Sequence, residues 1–150
     1  MMERACAVFL AMLLVAPFAA RSEEGAQPRP IERKCAVPGD ETWTPQERFV
    51  WARVCIGEEA NFNEAPANGG NLDPRKPEGL PENRVLRSSF LETILLQDRY
   101  RRTLTRRSVR IVGARFKETV GLEKAELWNG LWLDASLLEG GANFLGLKST

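Results

Sequence analysis

The chain contains no histidine. That absence excludes Ser–His and Cys–His nucleophile pairs, histidine-ligated metals and any imidazole acid or base. It also has almost no net charge: 21 Lys and Arg stand against 20 Asp and Glu over 150 residues. No global field therefore draws it to nucleic acid or to a membrane surface. Its three cysteines form no Cys-x-x-Cys, which argues against a redox-active pair. No nucleophile motif, Gly-rich phosphate loop or metal-ligand constellation is visible, so no cofactor and no metal are expected. What remains is ordinary for a soluble globular protein, with 43% hydrophobic and 27% charged residues and enough chain for one modest core.

The N-terminus has an apolar run, but a short one. After Met1-Met2-Glu3-Arg4 come 16 uncharged residues, Ala5–Ala20, with a nine-residue apolar heart, Ala7–Val15. A bilayer-spanning helix needs about 20 apolar residues. A charged start, a short apolar heart and a small-residue exit read as a secretory signal peptide over residues 1–22, cleaved after Ala19, Ala20 or Ser22. The alternative is an uncleaved membrane anchor. A lipoprotein signal does not fit, since Cys6 precedes the apolar run and Cys35 lies well beyond it. The expected compartment is secreted or periplasmic.

Removing residues 1–22 takes away Arg4, Arg21 and Glu3 and leaves 19 residues of each sign. Cys35 and Cys55 remain. In an oxidising compartment they are expected to form one disulfide. Its loop of about 20 residues would contribute roughly 3 kcal/mol in the chain-entropy model. The alternative is two unpaired buried thiols.

Residues 23–107 read as a disulfide-tied helical part. An extended, Pro-rich lead-in over 23–42 is pinned at Cys35. Thr44-Pro45-Gln46-Glu47 combines a cap, a first-turn proline and a capping-box glutamate, which predicts a helix from Pro45 to about Ile56, stopped at Gly57. Residues 63–84, with Pro66, Pro74, Pro77 and Pro81 among Gly69, Gly70 and Gly79, predict a loop. A loop of that length is either functional or mobile, or an insertion of no consequence. Ser89-Phe90-Leu91-Glu92 reads as a second capping box, and Phe90, Leu91, Ile94 and Leu95 form the stripe of a helix continuing to about Arg102.

From Val109 the periodicity changes. A small residue, a variable one and a large apolar one recur: Ala114-Arg115-Phe116, Ala125-Glu126-Leu127, Ala135-Ser136-Leu137 and Ala142-Asn143-Phe144, with Ala60-Asn61-Phe62 standing apart. The large residues Ile111, Phe116, Leu122, Leu127, Leu133, Leu138 and Phe144 advance by five or six, and every four steps cover 22 positions. Such steps suit a four-sided coil of very short parallel strands, with Gly113, Gly121, Gly130, Gly140 and Gly141 at corners. The alternative is an antiparallel sheet with alternating Leu131 and Leu133.

The pattern resembles the pentapeptide-repeat proteins, whose unit runs Ala, then Asp or Asn, then Leu or Phe. Ala60-Asn61-Phe62 and Ala142-Asn143-Phe144 match it well, while Ala125-Glu126-Leu127 and Ala135-Ser136-Leu137 match loosely. The six-residue steps depart from the strict five of that family. Residues 108–147 look more like the degenerate coils of some secreted bacterial proteins. The resemblance implies an α+β chain whose N-terminal helices cap a short right-handed parallel β-helix over 108–150. Forty residues make only about two coils, fewer than a solenoid usually needs. The pattern stops at Leu147-Lys148-Ser149-Thr150, which points to truncation or to self-association through an open last coil.

Seven arginines fall within 17 residues: Arg99, Arg101, Arg102, Arg106, Arg107, Arg110 and Arg115. The first six are the candidate anion surface, because guanidinium forks suit carboxylates and phosphates. A solvated helix end would use basic residues equally well. Trp128 and Trp132 flank Asn129-Gly130 and suit either sugar stacking or core packing. Glu118, Glu123, Glu126, Asp134 and Glu139 are the carboxylates an enzyme would use, yet they lack partnered groups. The expected function is a non-catalytic binding or scaffold module for an unidentified protein or an anionic envelope glycan, with no nucleic acid. The alternative is the remnant of a carbohydrate-active β-helix enzyme acting on acidic polysaccharide.

Overall fold

The computed structural model describes residues 34–64, 70–76, 79, 81–104 and 108–149. The expected signal peptide, its cleavage sites, most of the lead-in, and Arg106 and Arg107 lie outside the described residues.

Helix α1, Pro45–Val54, begins as the sequence requires. The Thr44 hydroxyl accepts from Glu47 N, and a Glu47 carboxylate oxygen accepts from Thr44 N at 2.8 Å. These bonds satisfy two of the donors that a helix start otherwise leaves open. Val50, Trp51 and Val54 form the buried face. The helix stops two residues earlier than expected, with Cys55 as its cap. Cys55 is bonded to Cys35, their Cα atoms 5.5 Å apart. Trp51 Nε1 donates to the Val37 carbonyl, so the lead-in is fastened to the helix twice.

The second helix departs from its expected form. Helix α2 spans Ser88–Leu96, capped by Arg87 with no side-chain hydrogen bond, so Ser89 does not open a capping box. The start is served from outside. Arg87 N donates to Glu47 Oε1 of α1, and the Ser88 hydroxyl donates to Glu118. The helix also breaks at extended Gln97, and a short α3, Asp98–Arg101, follows. Phe90, Leu91, Ile94 and Leu95 are buried, as the stripe predicts.

Among the described residues there are also nine short strands: β1 Ala60–Asn61, β2 Val109–Val112, β3 Arg115–Phe116, β4 Val120–Gly121, β5 Glu126–Leu127, β6 Leu131–Asp134, β7 Leu137–Leu138, β8 Ala142–Asn143 and β9 Lys148–Ser149. All pairing among them is parallel. Val109 pairs with Leu131, Arg115 with Leu137, Val120 with Ala142 and Glu126 with Lys148, each 22 positions apart. The antiparallel alternative is thereby excluded for these strands.

The expected β-helix is nevertheless corrected. The strands form one three-stranded sheet, β1-β2-β6, and three two-stranded sheets, β3-β7, β4-β8 and β5-β9, and none of these closes or coils on itself. Two physical reasons are visible. The four sheets share no strand, so no ladder runs on from one to the next as a single wound sheet would require. The third strand beside β2 comes from β1, at the end of the helical part, and not from a further turn of the repeat.

Two tiers result, and they differ in burial. Ile111, Phe116, Leu122 and Leu127 of the inner tier are buried against Trp43, Trp51, Phe90 and Ile94. Leu133 and Leu138 of the outer tier are half-buried and Phe144 is exposed. Close backbone approach explains two glycines. A side chain at Gly140 would overlap the backbone of Glu118 and Thr119. Gly113 has φ +71° and lies beneath Asn63 and Arg84. Arg84 is itself buried and fastens part of the long loop. Its Nη1 donates to Asn63 Oδ1 at 2.7 Å and to the Gly113 carbonyl, and its Nη2 to the Gly70 carbonyl. Asn63 Oδ1 also accepts from Leu72 N, and Leu72 is buried.

Candidate binding recess at Arg101 and Trp128

Helix α3 is amphipathic over a single turn. Tyr100 faces inward, its ring centroid 5.0 Å from that of Trp43 and 5.2 Å from that of Trp51. That anchor turns Arg101 and the following Arg102 toward the chain after β5. Asp98, at the start of α3, braces both. Its carboxylate accepts from Arg101 Nε at 2.7 Å and from Arg102 Nη2 at 3.0 Å. The hydrogen bond from Arg101 chiefly holds the Asp98 carboxyl below its ordinary value, against a smaller desolvation effect.

Arg101 then meets an aromatic face. Its guanidinium carbon lies 3.9 Å from the ring centroid of Trp128, which is 46% exposed. Arg101, Arg102, Leu104, Trp128 and Asn129 line a recess of about 310 Å³. Leu104 supplies a buried apolar wall and Asn129 an amide. A guanidinium has five N–H donors. The Nη1 groups of Arg101 and Arg102 have no partner among the described residues. The recess thus combines a flat apolar surface with cationic donors held close to it, which suits a ring bearing a carboxylate or phosphate.

The six arginines of the candidate anion surface do not act alike. Arg101 and Arg102 converge on the recess. Arg99 is exposed on the same helix turn, 5.3 Å from the Tyr100 ring centroid. Arg106 and Arg107 fall outside the described residues. Arg110 belongs elsewhere: it sits between Asp134 at 2.9 Å and Glu59 at 3.5 Å. The hydrogen bond to Asp134 is the main reason its guanidinium is raised above its ordinary value. The neighbouring Arg115 is placed similarly, between Glu139 and Glu82.

Four of the five carboxylates considered for catalysis are also engaged. Asp134 and Glu139 accept from Arg110 and Arg115, Glu118 accepts from Ser88, and Glu123 accepts from Asn143 Nδ2. Among the described residues no group of three or more His, Cys, Asp or Glu is placed to hold a metal ion. No described helix is long and apolar enough to cross a membrane.

Leu104 and Asn129 carry no motif, and sequence reasoning missed them. Trp128 stood out only as an aromatic beside a corner. Nothing in the chain announces that it meets Arg101, 27 positions earlier. No protein-family model matches the chain, and neither a curated protein nor a solved structure does so.

Proposed function

We propose that this chain is a non-catalytic envelope or secreted binding module whose ligand is an acidic saccharide seated at the Arg101–Trp128 recess. The carrying observation is the Arg101 guanidinium held 3.9 Å from the Trp128 ring centroid at the rim of that recess. A sugar ring offers an apolar face to indole, and a uronate or phosphate substituent accepts from Arg101 and Arg102. Export is supported by the charged start and short apolar heart of residues 1–22 and by the Cys35–Cys55 disulfide. A binding role is favoured over an enzyme remnant because Asp134 and Glu139, the acids such a remnant would use, are engaged by arginines.

The test is a calorimetric titration with a short oligouronate and with its neutral counterpart. The oligouronate should bind, and the neutral sugar should bind at least about tenfold more weakly. Binding should weaken with added salt, as screening predicts. Trp128→Ala and the double variant Arg101→Ala/Arg102→Ala should each lower affinity by about tenfold or more. Equal affinity for both sugars, or variants that bind as well as the parent chain, would discard the recess as the site.

A further inference from the structure

We propose, resting on the acidic-saccharide reading of the recess, that the site continues past Asn129 into a second sugar subsite at Trp132. The ligand is then an oligosaccharide, with its acidic unit at Arg101 and a neighbouring unit laid on the Trp132 indole. Trp132 is 55% exposed, so it does not serve as core packing. Its exposure follows from the side of the sheet it stands on. Register partners in parallel strands project on the same side. Trp132 of β6 is the partner of Arg110 of β2. Arg110 lies on the central strand of β1-β2-β6, flanked on both edges, and is nonetheless exposed. The side that carries both residues is therefore open whatever lies along the edges of the sheet. Leu131 and Leu133, before and after Trp132, are half-buried against the core, and strand alternation turns the indole outward.

The corner at Asn129-Gly130 joins this ring to the recess. Asn129 lines the recess. Gly130 follows it, and a Cβ there would stand 3.6 Å from Trp132 Nε1 and 2.7 Å from the Ser108 hydroxyl. The Nε1 edge of the indole thus lies against the residue next to the recess. Two exposed aromatic rings stand at the ends of one short turn, Trp128 in the recess and Trp132 just beyond it. Four residues span at most about 14 Å, which a short oligosaccharide bridges.

Charge decides what the second unit is. Arg110, the cation beside Trp132 in register, is already taken up by Asp134 at 2.9 Å and Glu59 at 3.5 Å. A second carboxylate at Trp132 would meet Asp134 without a cation to spare for it. An indole offers an apolar face and one N–H donor. That combination suits a neutral unit, which presents a ring face and hydroxyls. The acidic group is read once, at Arg101 and Arg102, and the next unit is read by its shape.

The experiment is a calorimetric titration of the full chain, disulfide intact, with two probes: a single uronate, and a trisaccharide of one terminal uronate and two neutral units. The trisaccharide should bind at least about tenfold more tightly than the single uronate. Trp132→Ala should remove most of that gain, and Trp132→Phe, which keeps a ring, should retain part of it. Oxidation by N-bromosuccinimide, located by mass spectrometry, gives a second measurement that needs no variant: the bound trisaccharide should shield Trp132, and the bound single uronate should not. A trisaccharide that gains nothing over the single uronate, a gain that survives Trp132→Ala, or a Trp132 oxidised as fast with the trisaccharide bound overturns the proposal. The recess itself is judged apart from Trp132, by the single uronate and its loss in Trp128→Ala. A chain that binds neither probe overturns both.

Discussion

The guanidinium of Arg87 grips both carboxylate oxygens of Glu47, forty residues earlier, with Nε to Oε1 at 2.8 Å and Nη2 to Oε2 at 2.6 Å. Glu47 is fully buried while the Arg87 side chain is 42% exposed. The pair joins α1 to the start of α2, and its two halves differ in how they tolerate loss of the partner. Arg87→Ala leaves a buried carboxylate without its fork and should cost about 3 kcal/mol. Glu47→Gln leaves Arg87 able to hydrate and keeps an acceptor for Thr44 N, so it should cost about 1–2 kcal/mol. Urea unfolding of both variants at neutral pH measures the order. The reverse order would mean that Glu47 is not the desolvated member.

Acid should erase part of this advantage. Burial pushes the Glu47 carboxyl up, but hydrogen bonds from Arg87 and from the Thr44 backbone outweigh burial and hold it below its ordinary value of 4.5. A carboxyl lowered by folding adds stability above its unfolded value and loses it as pH falls through the folded one. The gap between the parent chain and Glu47→Gln should therefore be full at neutral pH and narrow steadily below about pH 4.5. Denaturant midpoints taken from pH 7 to pH 3 would show this. A gap of constant size would refute the linkage.

Tyr100 offers a substitution that should stabilise. Its hydroxyl is buried and has no hydrogen-bond partner among the described residues, while its ring packs between Trp43 and Trp51. A buried hydroxyl without a partner costs about 1–3 kcal/mol. Tyr100→Phe keeps the ring and should add about 1 kcal/mol, or roughly 3 °C in Tm for a domain of this size. Calorimetry of the two chains decides the matter, and a lowered Tm would count against an idle hydroxyl.

How much of this was legible in the sequence varies with the range of the interaction. The start of α1 was readable because Thr44, Pro45 and Glu47 act within one turn. The 22-position return was readable because the large apolar residues recur at that interval, as Ile111 and Leu133 do. The Ser89 capping box failed because a residue from α1, Glu47, already serves the backbone there. The β-helix failed because spacing states which residues pair and says nothing of whether the pairs join into one wound sheet. The recess was half legible: arginine density drew attention to Arg101 and Arg102, but their meeting with Trp128 depends on how α3 and β5 pack.

Arg110 and Arg115 each hold an acid 24 positions ahead, two beyond their strand partners. Both ties lean by the same amount and in the same sense. If residues 131–149 slid by one position along 109–127, Asp134 and Glu139 would swing to the opposite side together, and two guanidiniums would lose their anions at once. The ion pairs thus work as the teeth of a key: individually weak on an open surface, they admit a single alignment of two short segments that hydrophobicity alone would let drift.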